Sequence, residues 1–364
     1  MISPTMRGFA AGAASVLVVA MALWGGVYVA GRLAKHSTPR ATAPSPSAAA
    51  NPVPSPSPLT GISVPASASC PAGQQVANES DLSNALATAV PGTVIILAPG
   101  SYAGQFAATV SGTASAPITL CGTSDAIIDG GDIKAGYAFY LNGASWWQLI
   151  GFSVKGAQKG VVTDHANHVL ISGLYVHDVG DEGIHLRSFS SDDTIQGVKV
   201  RNTGLLTAKF GEGIYVGTAN KNWCKYTACS PDQSDRDVVK NNDIANTTAE
   251  NIDIKEGTTG GVIQGNVLDG VGMVASAATA WVNVKGNGWS VVGNTGQHSL
   301  KDGFQVHQVY KGWGLGNIFR SNHAVVDGPG YGFYVQSRSL STVVACDNTA
   351  TSAGKGLSNA PCGA

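Results

Sequence analysis

Three sets of side chains recur at matched offsets from one short motif, and they are the residues of this chain best equipped for chemistry. The motif reads GVVTD (160–164), GIHLR (183–187), GIYVG (213–217), NIDIK (251–255), WVNVK (281–285), GFQVH (303–307) and GFYVQ (332–336). Just ahead of it stand Glu182, Glu212, Glu250 and Asp302. Its first outward position holds His185, Tyr215, Asp253, Asn283, Gln305 and Tyr334, and its second holds Arg187, Gly217, Lys255, Lys285, His307 and Gln336. Such a mixture suits proton transfer on an acidic sugar. Cations neutralise a uronate carboxylate, which acidifies the C5 proton, and a base then removes that proton in a β-elimination.

Arg187, Lys255, Lys285 and His307 are the expected catalytic set, and His185, Tyr215, Asp253, Asn283, Gln305, Tyr334 and Gln336 the expected substrate contacts. Lys255 serves as a base only if neighbouring cations lower its pKa; Lys285 and Arg187 would do so, against Glu250, Asp253 and Glu256. Tyr215, Trp281, Tyr334 and the loop residue Trp223 are candidates for stacking on sugar rings.

Two other chemistries use the same face. A glycosidase needs two carboxylates about 5 to 9.5 Å apart, which Glu212 with Glu250 or Asp253 on adjacent repeats would supply. The clustered Asp and GHG of polygalacturonases are absent. A cell-wall binding or adhesion module needs only the groove, and stacked acids and bases also simply satisfy one another across strands.

The elements that position these columns follow from periodicity. Second and fourth motif residues are mostly apolar, as in Ile184 and Leu186, Ile252 and Ile254, or Phe333 and Val335, so they point inward while their neighbours point outward. Repetition every 20 to 38 residues or so indicates a solenoid. A second register of Asn242, Asn266, Asn294, Asn322 and Asn348 marks a tight corner, where stacked amides bond backbone and tolerate left-handed torsions. Neither the four-strand period of a propeller nor leucine-rich spacing is present, so the expectation is an all-β, right-handed parallel β-helix. SDLSNALATAV (80–90) predicts a short helix capped by Ser80 or Asp81 that closes the N-terminal end.

AENIDIKEGTTGGVIQGN (249–266), WVNVKGNG (281–288) and GTASAPITLCG (112–122) resemble the chondroitinase B-like and alginate lyase family of polysaccharide lyases, which share the pectate-lyase-like solenoid. The resemblance implies Lys255 as the base and Ca²⁺ held by acids, with Glu250 at a ligand position and Glu212 beside it. It departs from the family where Lys285 replaces an arginine and Thr248 replaces a second calcium-binding acid.

The rest of the chain sets the context. Residues 8–31 are uncharged and long enough to span a bilayer, preceded by a cytoplasmic end at 1–7 and followed by a Pro/Ser/Ala-rich linker at 32–69. The apolar run exceeds a usual signal-peptide core and lacks a small-x-small cleavage site, so a signal anchor is favoured over a removed signal peptide. Arg32, Lys35 and Arg40 oppose an outward domain by the positive-inside rule, but the stalk-like linker supports an extracytoplasmic location. The expected domain is 70–364, a membrane-tethered or secreted monomer.

Of 22 lysines and arginines, four lie before residue 67 with no acid among them, which leaves 18 against 23 acids and a net of −5. Such a domain is no nucleic-acid binder. Six cysteines fall into three pairs by proximity, Cys70 with Cys121, Cys224 with Cys229 and Cys346 with Cys362; about fifteen pairings are formally open, and free thiols are the alternative.

Overall fold

Apolar alternation decides the architecture. In the computed structural model, which describes residues 70–363, Ile184, Leu186, Ile214, Val216, Ile252 and Ile254 are fully buried, each contributing about 1.5–3 kcal/mol. Three parallel sheets wrap this core. The first has 11 strands, running in order from Gln74–Val76 to Val343–Val344. The second includes Tyr175–His177, Lys199–Arg201, Asp243–Ile244 and Val267–Asp269. The third carries the motif, as Ile184–Arg187, Ile214–Val216, Ile252–Ile254, Val282–Val284, Phe304–Val306 and Phe333–Val335. Ala126–Asn142 and Ser153–Asp164 each run round a corner and serve both the second and third sheets. The result is the expected right-handed parallel β-helix, of about ten turns.

Register is pinned at the corner between the first and second sheets. Asn266 Oδ1 accepts the backbone N–H and the side-chain amide of Asn242 (2.9 and 3.0 Å), and Asn294, Asn322 and Asn348 repeat the pattern along the axis. The left-handed torsion falls on the residue before each of the first four asparagines, at Asn241, Gly265, Gly293 and Ser321, with φ between 52° and 65°. The asparagines expected to adopt it do not, because their amides must turn inward to form the ladder.

The corner between the third and first sheets uses the same device with different residues. Asp193 Oδ1 accepts the N–H of Val169, Asp237 Oδ1 accepts that of Asp193, and Asn317 Oδ1 accepts that of Trp289. Asp193 and Asp237 are completely buried, each with one oxygen unpartnered. Burial pushes both carboxyls well above the usual range. A carboxyl whose folded pKa is raised costs stability as pH rises from its unfolded value toward the folded one. Asp237→Asn, which copies Asn317, is therefore expected to raise the melting temperature at pH 8 more than at pH 4.5, in thermal melts across that range.

The N-terminal helix spans Glu79–Thr88 and buries Leu82, Ala85 and Leu86. Its cap is Asn78, whose side chain accepts from the Asp81 N–H at 2.9 Å, rather than Ser80 or Asp81. Asn78 is the last extended residue and so is the one placed to reach the free N–H groups. All three proximity-based cysteine pairs are disulfides. Among the described residues no helix is long and apolar enough to cross a membrane; the expected span at 8–31 and linker at 32–69 lie outside them.

Candidate active site

Long connections enter and leave the third sheet where the motif is richest in charge. Loop 203–213 leads into Ile214–Val216, and loop 217–237 leaves it, folding as a short helix at Trp223–Tyr226 beside the Cys224–Cys229 disulfide. Between these lips lies a cavity of about 570 Å³. Its floor is the outward face of the third sheet, whose ladder stacks His185 on Tyr215, Tyr215 on Asp253 and Asp253 on Asn283.

Asp253 is the electrostatic centre. It is 1% exposed, and its two oxygens stand 2.5 Å from Lys255 Nζ and 2.5 Å from Lys285 Nζ. Burial alone would raise its pKa, but the two ammonium groups hold it below the usual carboxylate range. For Lys255, burial favours the neutral amine, yet the Asp253 charge outweighs it and pushes its pKa well above that of a free lysine. The expected lowering by Arg187 and Lys285 does not occur, because Asp253 is closer than either and Arg187 is neutralised elsewhere.

Glu212, Glu250 and Asp253 form a buried acidic triad whose oxygens lie within 4.8 Å of one another. Glu250 accepts from Asn283 Nδ2 at 3.0 Å. Glu212 Oε2 has no partner, and burial together with the Glu182 and Asp253 charges drives its carboxyl well above the usual range. Tyr215 lies against Lys255, whose Nζ is 4.7 Å from the ring centre; burial raises its phenol pKa. His185 stacks edge-on to Tyr215 and bonds the Gly217 carbonyl through Nε2 at 2.9 Å. Desolvation keeps its imidazole neutral, so Nε2 carries the donated proton.

Arg187 forms a bidentate pair with Asp164 (2.7 and 3.0 Å), donates to Tyr137 and lies 4.4 Å from the Tyr226 ring centre. The Asp164 carboxylate outweighs desolvation and raises the guanidinium pKa further. Lys159 pairs with Glu182 on the same floor.

The cavity thus brings together Glu212, Glu250, Tyr215, Asp253, Lys255 and Lys285, with Arg187 and His185 beside them. His307 of the expected catalytic set and the remaining expected contacts lie beyond it toward the C-terminal turns. Asn283 bridges Glu250 and His307 Nδ1, and burial lowers the His307 pKa to about 4. Gln305 is buried against Asp302 and Thr279, Tyr334 is half-buried beneath Lys301, and Gln336 is exposed and accepts from the Gln308 N–H. Trp281 is a core residue, turned inward over Gly296 and Gly303, where a Cβ would meet its ring at 2.4 and 2.6 Å. Trp223 is also buried, bonding the Thr218 carbonyl and packing on Tyr310.

Sequence reading did not point to Asp164, Lys159, Tyr137, Lys209, Phe210, Lys221, Lys225 or Tyr226. The first two had a signal: Lys159 precedes Gly160 as Glu182 precedes Gly183, and Asp164 pairs in register with Arg187. The columns therefore begin one turn earlier than read. Residues on the loops carry no period by which they could be found.

No family model and no curated relative matches the sequence. Among solved structures, an alginate lyase from Paenibacillus sp. strain FPU-7 is 37% identical, with a TM-score of 0.73 over 79% of this chain and 98% of its own. A pectate lyase, Pel9A, is 16% identical (TM-score 0.57, 77% of this chain and 72% of its own). A rhamnogalacturonan lyase is 14% identical (TM-score 0.53, 79% and 86%). These last two share the fold alone.

Proposed function

The chain belongs to the family of parallel β-helix lyases that includes the alginate lyase of Paenibacillus sp. strain FPU-7, and on that footing we propose that it cleaves a uronate-containing polysaccharide, alginate first among candidates, by β-elimination outside the cytoplasm. The observation carrying this reading is the buried Lys255–Asp253–Lys285 arrangement beneath the Tyr215 phenol. Lys285 and the charge around it meet the substrate carboxylate. Lys255, once deprotonated, takes the C5 proton; the electron pair forms the C4–C5 double bond as the C4–O4 bond breaks; Tyr215 protonates the departing oxygen. The lysine then returns its proton to the phenolate beside it, so no outside reagent is consumed. Three disulfides support action in an oxidising compartment.

A hydrolase is disfavoured by charge. Asp253, the central carboxylate of the triad, has both oxygens held by lysines and is not free to act as a nucleophile or base.

For Ca²⁺ at Glu212 and Glu250 the donor set is a poor match. The ion takes about six to eight oxygens at 2.3–2.6 Å, whereas both Asp253 oxygens face an ammonium and Glu250 Oε1 is engaged by Asn283, which leaves the triad three carboxylate oxygens to offer. The lysines occupy the electrostatic place of a metal. Incubation with alginate and pectate should give unsaturated, ultraviolet-absorbing products, and a chelator should change neither their rate of release nor the melting temperature. Glycan binding without such products would support a binding module instead.

A further inference from the structure

The cations of the cavity divide by depth. On the floor each has a carboxylate: Lys159 with Glu182, Arg187 with Asp164, Lys255 and Lys285 with Asp253. At the mouth, Lys209, Lys221 and Lys225 line the same cavity and are exposed, and among the described residues none lies in ion-pair contact with an acid. Lys209 stands on the lip that enters the third sheet; Lys221 and Lys225 stand on the lip that leaves it.

Both lips are firmly held. Leu206 N–H donates to the Gly180 carbonyl at 2.7 Å and Thr248 Oγ1 to the Ala208 carbonyl at 2.8 Å. Opposite them, the Cys224–Cys229 disulfide closes the turn bearing Lys225, Asn220 N–H donates to Glu256 at 2.6 Å, and Trp223 is buried beneath. Phe210, 43% exposed beside Lys209, offers an apolar face at the same lip. Each inner cation already has a carboxylate within reach, whereas three exposed lysines at the mouth without one add nothing to stability. Their placement suits a ligand that brings its own negative charges at intervals.

We propose that Lys209, Lys221 and Lys225 form a specificity collar that pairs with carboxylates of the uronate residues flanking the one being cleaved, selecting an acidic chain over a neutral one. This rests on the reading that the cavity takes a polyuronate. Exposed pairs are individually weak, but a fixed cluster steers a polyanion, and its effect fades as salt shortens the Debye length from about 30 Å at 0.01 M to about 3 Å at 1 M.

The test is a triple variant, Lys209→Gln with Lys221→Gln and Lys225→Gln. At low ionic strength its KM should rise about tenfold or more, with the loss falling on KM rather than kcat, and the difference from the parent should shrink toward about twofold near 1 M salt. In parallel, calorimetry in a Lys255→Ala background measures binding of mannuronate, guluronate and galacturonate tetrasaccharides against cellotetraose. Loss of affinity for the acidic tetrasaccharides alone, with melting temperature retained, supports the collar. Unchanged affinity at every salt concentration overturns it, even if the parent cleaves alginate. Collar-dependent binding by a parent that releases no unsaturated product supports the collar and sinks only the lyase reading.

Discussion

Lys255→Arg is expected to abolish β-elimination as completely as Lys255→Ala, by about 10²–10⁴-fold in kcat, the contribution of a positioned general base. Arginine keeps the charge beside Asp253 but does not give up its proton in a protein, so the pair of variants separates a base from a mere counter-ion. If the arginine variant retained near-normal turnover, Lys255 would be a carboxylate neutraliser and the base would lie elsewhere. The floor should survive either change, since Ile252 and Ile254 anchor the strand from inside.

The electrostatics add a sign to this prediction. Asp253 holds Lys255 protonated at rest, so the reactive amine is a small fraction that grows tenfold per pH unit until the raised pKa is reached. The logarithm of kcat/KM should climb with a slope near one from neutral pH into the alkaline range. Asp253→Asn removes the charge that does most to raise the lysine pKa and should move the climb to lower pH. A flat profile across that range in the parent would contradict a lysine base in this setting.

Tyr215→Phe is expected to lose about 10²–10⁴-fold in chain cleavage, because the phenol is the group beside Lys255 that burial keeps protonated and ready to donate. The base is untouched, so C5 proton abstraction should persist: in deuterated water the variant should exchange the C5 hydrogen of its substrate faster than it breaks the chain. Cleavage at the parental rate would show that water protonates the leaving oxygen. Ile214 and Val216 remain buried on either side, and an unchanged melting temperature would exclude collapse of the strand as the cause.

Much of the scaffold is legible without coordinates because its information is local and repeated. Alternation with period two assigns Ile184, Leu186, Ile252 and Ile254 to the interior, and a one-residue slip would expose them all. The asparagine column adds an independent register, and parallel stacking then brings His185, Tyr215 and Asp253 into one line. The same periodicity extends the columns one turn earlier, to Lys159 and Asp164.

The chemistry of that line is another matter. Whether Lys255 is pushed up or down depends on which charge stands nearest, and only the folded chain settles that Arg187 is spent on Asp164 while Asp253 lies 2.5 Å from the amine. For Trp281 the sequence offers both sugar stacking and core packing, and Gly296 and Gly303, 15 and 22 residues on, leave the space that draws it inward. The lips with Lys209, Lys221 and Lys225 have no period at all. Repetition along the chain thus determined the scaffold and the order of its outward residues. Distances between side chains on different turns and loops, on which Coulomb energy and burial depend steeply, were decided by the tertiary structure alone.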